Sequence, residues 1–217
     1  MPTQEATSAT TSDSLPAERP IQGLQSRREA GFEALIFDCD GTLADTMPLH
    51  YQAWQVISTR HGFEFPKDRF YALGGVPSRD ILKLLSLEQG LALDHLAIAK
   101  EKEVEYLPLI AQVEPINHVV SIAREHWRRV PMAVASGGTH RVIEQVLEHL
   151  GIRGLFQTIV TSEDVVRQKP APDIFLEAAR RLGVAPARCR AYEDTDLGME
   201  AIRAAGMEAV DVRRLLG

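Results

Sequence analysis

Only two cysteines, Cys39 and Cys189, occur in the 217 residues. Two distant thiols build neither a disulfide framework nor a CxxC metal site, so the expected setting is a reducing cytoplasm with both buried as small hydrophobes. No stretch approaches the roughly 18 consecutive apolar residues of a membrane span, and no membrane partner is expected. Positive charge is also short: Lys+Arg number 24 against 30 Asp+Glu, a formal charge of −6. Such a balance supplies no broad cationic field for nucleic acid. An anionic substrate must therefore meet a positive site built locally.

What the chain does have is a globular composition, 45% hydrophobic and 25% charged. Its length fits one domain, or one domain with a modest insertion. Residues 1–31, rich in Ser, Thr, Gln, Pro and Glu, are expected to form a flexible tail. They lack the apolar core of about 7–15 residues that a signal peptide needs, and Glu5, Asp13 and Glu18 are wrong for a transit peptide.

Short apolar runs at 33–38 (EALIFD), 131–136 (PMAVAS), 157–160 (QTIV), 189–193 (CRAYE) and 208–212 (EAVDV) predict strands of a parallel sheet. Helical patterns alternate with them. Residues 139–150 place Val142, Ile143, Val146, Leu147 and Leu150 on one stripe before Gly151; segments 173–182 and 195–205 carry similar start and stop signals. This alternation predicts a doubly wound α/β core with right-handed crossovers. The gap from Asp38 to Pro131 is too long for one crossover, and its patterns at 49–61, 78–90 and 94–111 are helical. The expected division is a core of 32–47 and 114–217 interrupted by a small helical cap at 48–113.

The strongest chemical signal is Asp38-Cys39-Asp40-Gly41-Thr42, at the carboxyl end of the first predicted strand, where doubly wound sheets bind ligands. A calcium loop is excluded, because its required Gly and Glu are Leu43 and Leu49. Two carboxylates this close can divide labour, one as nucleophile and one as proton carrier. Glu193-Asp194 follows another strand and could bring hard oxygen ligands for Mg²⁺ to the same rim, although alone it equally suits a helix N-cap. Ser136 precedes Gly137-Gly138, which frees backbone N–H groups for a phosphate oxygen or makes an ordinary turn. Val134 rules out a Gly-x-Ser-x-Gly elbow. Lys169, the only lysine after Lys102, is either an exposed loop cation or a point contact for phosphate.

In this order, Asp38-x-Asp40-Gly41-Thr42, Ser136, Lys169-Pro170-x-Pro172-Asp173 and Glu193-Asp194 with Gly198 resemble the four motifs of the haloacid dehalogenase superfamily. The resemblance covers essentially everything after residue 31. The helical insert is similar to the cap of its β-phosphoglucomutase-like branch, as are Asp45-Thr46, His50, Trp54, residues 75–79 and Lys102. The ending, residues 204–213, is similar to bacterial fructose-1-phosphate and 6-phosphogluconate phosphatases.

The resemblance implies a phosphoaspartyl mechanism. Asp38 would attack phosphorus, and Asp40 would protonate the leaving alcohol and then activate water. Mg²⁺ would be held by Asp38, the backbone carbonyl of Asp40 and Asp194, with Glu193 beside it. Ser136, Thr42, Gly137 and Lys169 would hold phosphoryl oxygens, a division that suits the charge distribution of phosphoryl transfer. Arg79 and Lys102 would read the sugar from the cap, with His50 near the hinge; each equally fits a solvated helix face. The implied partner is a small phosphorylated sugar, and the expected state is a monomer or weak homodimer. A sugar-phosphate mutase is the nearest rival. Mutases of this branch carry Ser-Lys-Asn where this chain has Gly138-Thr139-His140. A non-catalytic Mg²⁺-dependent binding protein is a remoter one, and a dehalogenase would lack Asp40.

Overall fold

The computed structural model describes residues 31–215; residues 1–30 of the expected tail lie outside the described residues. A five-stranded, all-parallel sheet forms the centre: β1 (Ala34–Phe37), β4 (Met132–Ala135), β5 (Thr158–Val160), β6 (Cys189–Glu193) and β7 (Glu208–Asp211). Across the sheet their order is β5-β4-β1-β6-β7. All four residues of β1 are buried because the pleat sends them alternately to two cores. Leu35 and Phe37 join one face with Met132, Val134 and Tyr192, while Ala34 and Ile36 join the other with Ala133, Ala135 and Ala191. Phe37 stacks on its cross-strand neighbour Tyr192 with centroids 4.7 Å apart.

Helices α5 (Asn117–His126) and α6 (His140–His149) cover the first face with Val119, Val120, Val142, Ile143, Val146 and Leu147. Helices α7 (Asp173–Leu182) and α8 (Asp196–Ala204) cover the second with Ile174, Phe175, Met199 and Ile202. The core is therefore doubly wound, and the chain reaches β4 and β6 on opposite sides of β1. That reversal opens a crevice beyond the carboxyl ends of β1 and β6.

The insert is helical: α1 (Met47–His61), α2 (Lys67–Ala72), α3 (Ser78–Gln89) and α4 (His95–Tyr106). They gather around Trp54, Ile57, Phe63, Phe65, Phe70, Leu82, Leu85 and Ile98, with Phe65 edge-on to Trp54 at 5.2 Å. Helix α2 was not signalled by apolar spacing, since Phe70 is its one buried residue. The pattern at 94–111 ends as an α-helix at Tyr106 and continues as a 3₁₀ helix, Leu107–Gln112, whose Ile110 packs with Tyr106 and Ala53 on the sheet's first core. Both connections of the insert run side by side as a short antiparallel ladder, β2 (Ala44–Asp45) with β3 (Glu114–Pro115). Among the described residues, no helix is long and apolar enough to cross a membrane.

Candidate active site

Strand β1 delivers Asp38 to the crevice, and β6 delivers Glu193 and Asp194 beside it. The backbone N–H of Asp38 donates to the Tyr192 carbonyl at 3.0 Å, fixing the two strand ends side by side. Carboxylate oxygens of Asp38, Glu193 and Asp194 lie within 4.8 Å of one another. Lys169 enters from the loop before α7 and donates to Asp38 Oδ1 at 2.7 Å and Glu193 Oε1 at 3.2 Å. Its side chain is 1% exposed, with Nζ 5.2 Å from the Phe175 ring centroid.

One ammonium faces three carboxylates, and the charge does not balance. Burial, with Glu193 adding to it, pushes the Asp38 carboxyl well above the usual range. The same causes, led by burial, raise Asp194 to about 8. Burial works against the Lys169 charge, but Asp38 and Glu193 outweigh it and raise its pKa above the ordinary value. A buried set of hard oxygen donors with surplus negative charge fits a divalent cation such as Mg²⁺. Glu193 is further held by Thr195 Oγ1, which donates to Oε1 at 2.6 Å, and by the N–H of Asp194, which donates to Oε2 at 2.8 Å.

Thr42, expected to hold a phosphoryl oxygen, donates its hydroxyl to Asp194 Oδ1 at 2.9 Å and its N–H to the Cys39 carbonyl at 3.2 Å, and so orients the Asp194 carboxylate within the turn. Gly41 makes that turn possible: its φ is +83°, and a Cβ there would stand 2.2 Å from Asp194 Oδ2.

Asp40 has a different environment. Oδ1 accepts from Thr46 Oγ1 at 2.7 Å and faces His50 Nε2 at 3.2 Å, while Ser136 Oγ donates to Oδ2 at 3.3 Å. Lys102 Nζ lies 2.7 Å from His50 Nδ1. An ammonium donating there leaves the ring proton on Nε2, directed at Asp40. Burial raises the Asp40 pKa, but His50, Thr46 and Lys102 overcome it and hold the carboxyl at about 2. Burial and Lys102 together lower the His50 pKa, and burial lowers Lys102 to about 8. Two aspartates two residues apart are thus driven in opposite directions, Asp38 by burial and the neighbouring carboxylates and Asp40, despite burial, by its hydrogen bonds and nearby cations.

Lys102 is therefore no solvated helix residue: it is buried, with Nζ 5.1 Å from the Tyr106 ring centroid and 5.7 Å from that of Trp54. Tyr106 stacks under His50 at 3.8 Å. Arg79 lines the same cavity but is 46% exposed and faces Asp80 at 3.7 Å, so no bond draws it to the centre. Gly137 lies against the cap, where a Cβ would meet the Gly75 carbonyl oxygen at 2.4 Å. A cavity of about 230 Å³ runs from Asp40, His50 and Lys102 outward between cap and core to Arg79, Glu103, Thr139 and Glu163.

Thr46 was noted in the sequence only as a cap-side feature, and Thr195, Tyr106, Glu103 and Glu163 were missed. Thr195 adjoins a motif position, which was the available signal; the other three face the site only through the tertiary packing of α4 and the loop after β5.

Residues 32–206 match the haloacid dehalogenase-like hydrolase family. The chain belongs to that family. This hydrolase is 42% identical over 186 residues to fructose-1-phosphate phosphatase YqaB of Escherichia coli (strain K12), covering 85% of this chain and 98% of that protein. It is 32% identical over 187 residues to the β-phosphoglucomutase of Bacillus subtilis (strain 168), covering 83% of each. Among solved structures, the β-phosphoglucomutase of Clostridium difficile superposes with a TM-score of 0.77 at 27% identity, over 85% of this chain and 87% of that one. The likeness spans core and cap together, so the hydrolase has the family's Rossmann-like core with an inserted helical cap.

Proposed function

We propose that this hydrolase cleaves small sugar or sugar-acid monophosphates, of the fructose 1-phosphate and 6-phosphogluconate kind, through an aspartyl-phosphate on Asp38. As a member of its family with relatives named as phosphatases, the chain is a phosphomonoesterase. The observation that carries the reading is the pairing of Asp38 with Lys169 and Asp194 on one side, and Asp40 with His50 and Ser136 on the other. The working division is a core of 32–47 and 114–217 and a cap of 48–113.

Asp38 attacks phosphorus and the alcohol leaves; water then attacks the aspartyl-phosphate and releases phosphate. Lys169, Ser136 and the N–H of Gly137 hold phosphoryl oxygens as charge develops on them. Asp40 protonates the leaving alcohol and later removes a proton from water. Its hydrogen bonds favour the carboxylate form, ready for the second half; the phosphate charge of an arriving substrate raises its pKa, as the first half requires. Mg²⁺, held by Asp38, Asp194 and the Asp40 carbonyl with Glu193 beside it, would supply positive charge to offset repulsion between carboxylate and phosphate. The cap closes over the site and excludes water from the first step.

The mutase reading draws on the β-phosphoglucomutase relatives, but Gly138-Thr139-His140 lacks the lysine that a second phosphate would use there. A panel of phosphomonoesters assayed with and without Mg²⁺, for wild type and Asp38→Asn, tests the proposal. Mg²⁺-dependent phosphate release by wild type alone is expected. Equal rates for Asp38→Asn, or a bisphosphate requirement with an isomerised sugar as product, would overturn it.

A further inference from the structure

The distal end of the cavity carries two carboxylates, and neither is explained by hydrolysis. Glu103, on α4 of the cap, accepts from Thr139 Oγ1 at 2.9 Å and lies 3.8 Å from Arg141. Glu163, in the loop after β5, accepts from the backbone N–H of His140 at 2.7 Å. Thr139 and His140 open α6, whose first N–H groups and positive dipole end otherwise favour an anion. Both donors are thus engaged by acidic side chains of the protein itself. His140 is engaged again at its ring, where Nε2 lies 2.7 Å from Asp164 Oδ2.

We propose that Glu103 and Glu163 are specificity-determining residues that select monophosphates whose distal end is a neutral polyol and reject substrates with a second anionic group. This rests on the phosphatase reading and narrows it, setting neutral substrates of the fructose 1-phosphate kind above sugar acids of the 6-phosphogluconate kind. Two effects act together. An incoming carboxylate or second phosphate would have to displace Glu163 from the His140 N–H and Glu103 from the Thr139 hydroxyl, and it would then lie beside two like charges. Like-charge juxtaposition is costly, and it is a common means of excluding wrong partners. Sugar hydroxyls, by contrast, are donors, and carboxylate oxygens accept from them. Arg79 and Lys100 line the cavity from the cap and Arg141 flanks Glu103, all three exposed, but no hydrogen bond among the described residues fixes them there, whereas Glu103 and Glu163 are tied to the opening of α6 and hold their charge at the distal end.

The test compares kcat/KM for a neutral hexose monophosphate with that for a hexonate monophosphate of similar length, in wild type, Glu103→Gln, Glu163→Gln and the double variant. Gln keeps the size and an acceptor for each donor while removing the charge, and thermal melting checks that each variant is folded. Wild type should prefer the neutral substrate. The acid-to-neutral ratio should rise in each single variant and by about tenfold or more in the double one. Glu103→Asp and Glu163→Asp, which restore charge, should hold the ratio near wild type; a purely structural role predicts no such split between Gln and Asp. An unchanged ratio in the double variant, or a wild type that already prefers the acid, would overturn this inference while leaving the phosphatase reading intact. A wild type that hydrolyses no phosphomonoester would overturn the phosphatase reading, and this inference with it.

Discussion

Asp38 is surrounded by more negative charge than its neighbours neutralise, and that imbalance makes its partners indispensable. In Lys169→Met the buried Asp38 and Glu193 carboxyls face each other with no ammonium between them. Breaking a buried pair from one side costs about 3–5 kcal/mol, so a large drop in melting temperature without metal is expected, partly recovered by Mg²⁺. Unchanged melting would mean that the ammonium carries no structural weight. Asp38→Asn should lower kcat by about 10³ or more while leaving the protein folded, because an amide is no nucleophile toward phosphorus. The acidic and basic members of this site were legible from residue type and order: Asp38, Asp40, Ser136, Lys169, Glu193 and Asp194 do converge. Their supporting bonds were not. Whether Thr42 faces a ligand or Asp194, and whether Lys102 reaches His50 or water, is decided by contacts across 152 and 52 residues of chain, which local pattern does not encode.

At the scale of elements, the cap meets the core on backbone rather than on side chains at one decisive point. The loop that carries Gly75 presses its carbonyl against Gly137, immediately after Ser136, so closure and phosphate-loop geometry depend on a missing Cβ. Gly137→Ala should raise KM for sugar phosphates and lower kcat together, while thermal stability changes little, because the added methyl obstructs closure rather than either core. Steady-state kinetics beside a thermal melt would check this; a destabilised protein with normal kinetics would contradict it. Strands β1 and β4 were legible because each is a short, wholly apolar run buried on both faces, whereas β6 and β7 mix Arg190, Glu193, Glu208 and Asp211 with apolar residues and were legible from their alternation with helical segments. Helix α2 was not. It spans only Lys67–Ala72, too short for an amphipathic period, whereas α5 does set Val119, Val120 and Ala123 on one stripe, a signal that the sequence carried and that went unread. The β2–β3 ladder has two residues per strand, too short for any alternation to register.

For the whole molecule, the acidic site ties stability to pH and metal. Asp194, raised to about 8, binds a proton in the folded state that the unfolded chain gives up near 4, so folding is weakened as pH rises across that window. Mg²⁺ prefers the deprotonated carboxylates, and its binding releases protons. The rise in melting temperature on adding Mg²⁺ should therefore grow between about pH 5 and pH 8, and the growth should shrink in Asp194→Asn, leaving the part due to Asp38; a shift independent of pH would contradict it. Cap and core legibility follows the same logic at this scale, since an over-long crossover announces an insertion whatever its details, whereas how the two bodies face each other depends on pairs such as Gly75 with Gly137 and Glu103 with Thr139. Everything at the centre turns on Asp38 bonding to phosphorus. Acid quenching during turnover of a sugar phosphate, followed by mass spectrometry of the peptides, reads that bond directly. The phosphoryl mass should sit on Asp38 in wild type and be absent from Asp38→Asn, whereas phosphate on another residue would contradict the account.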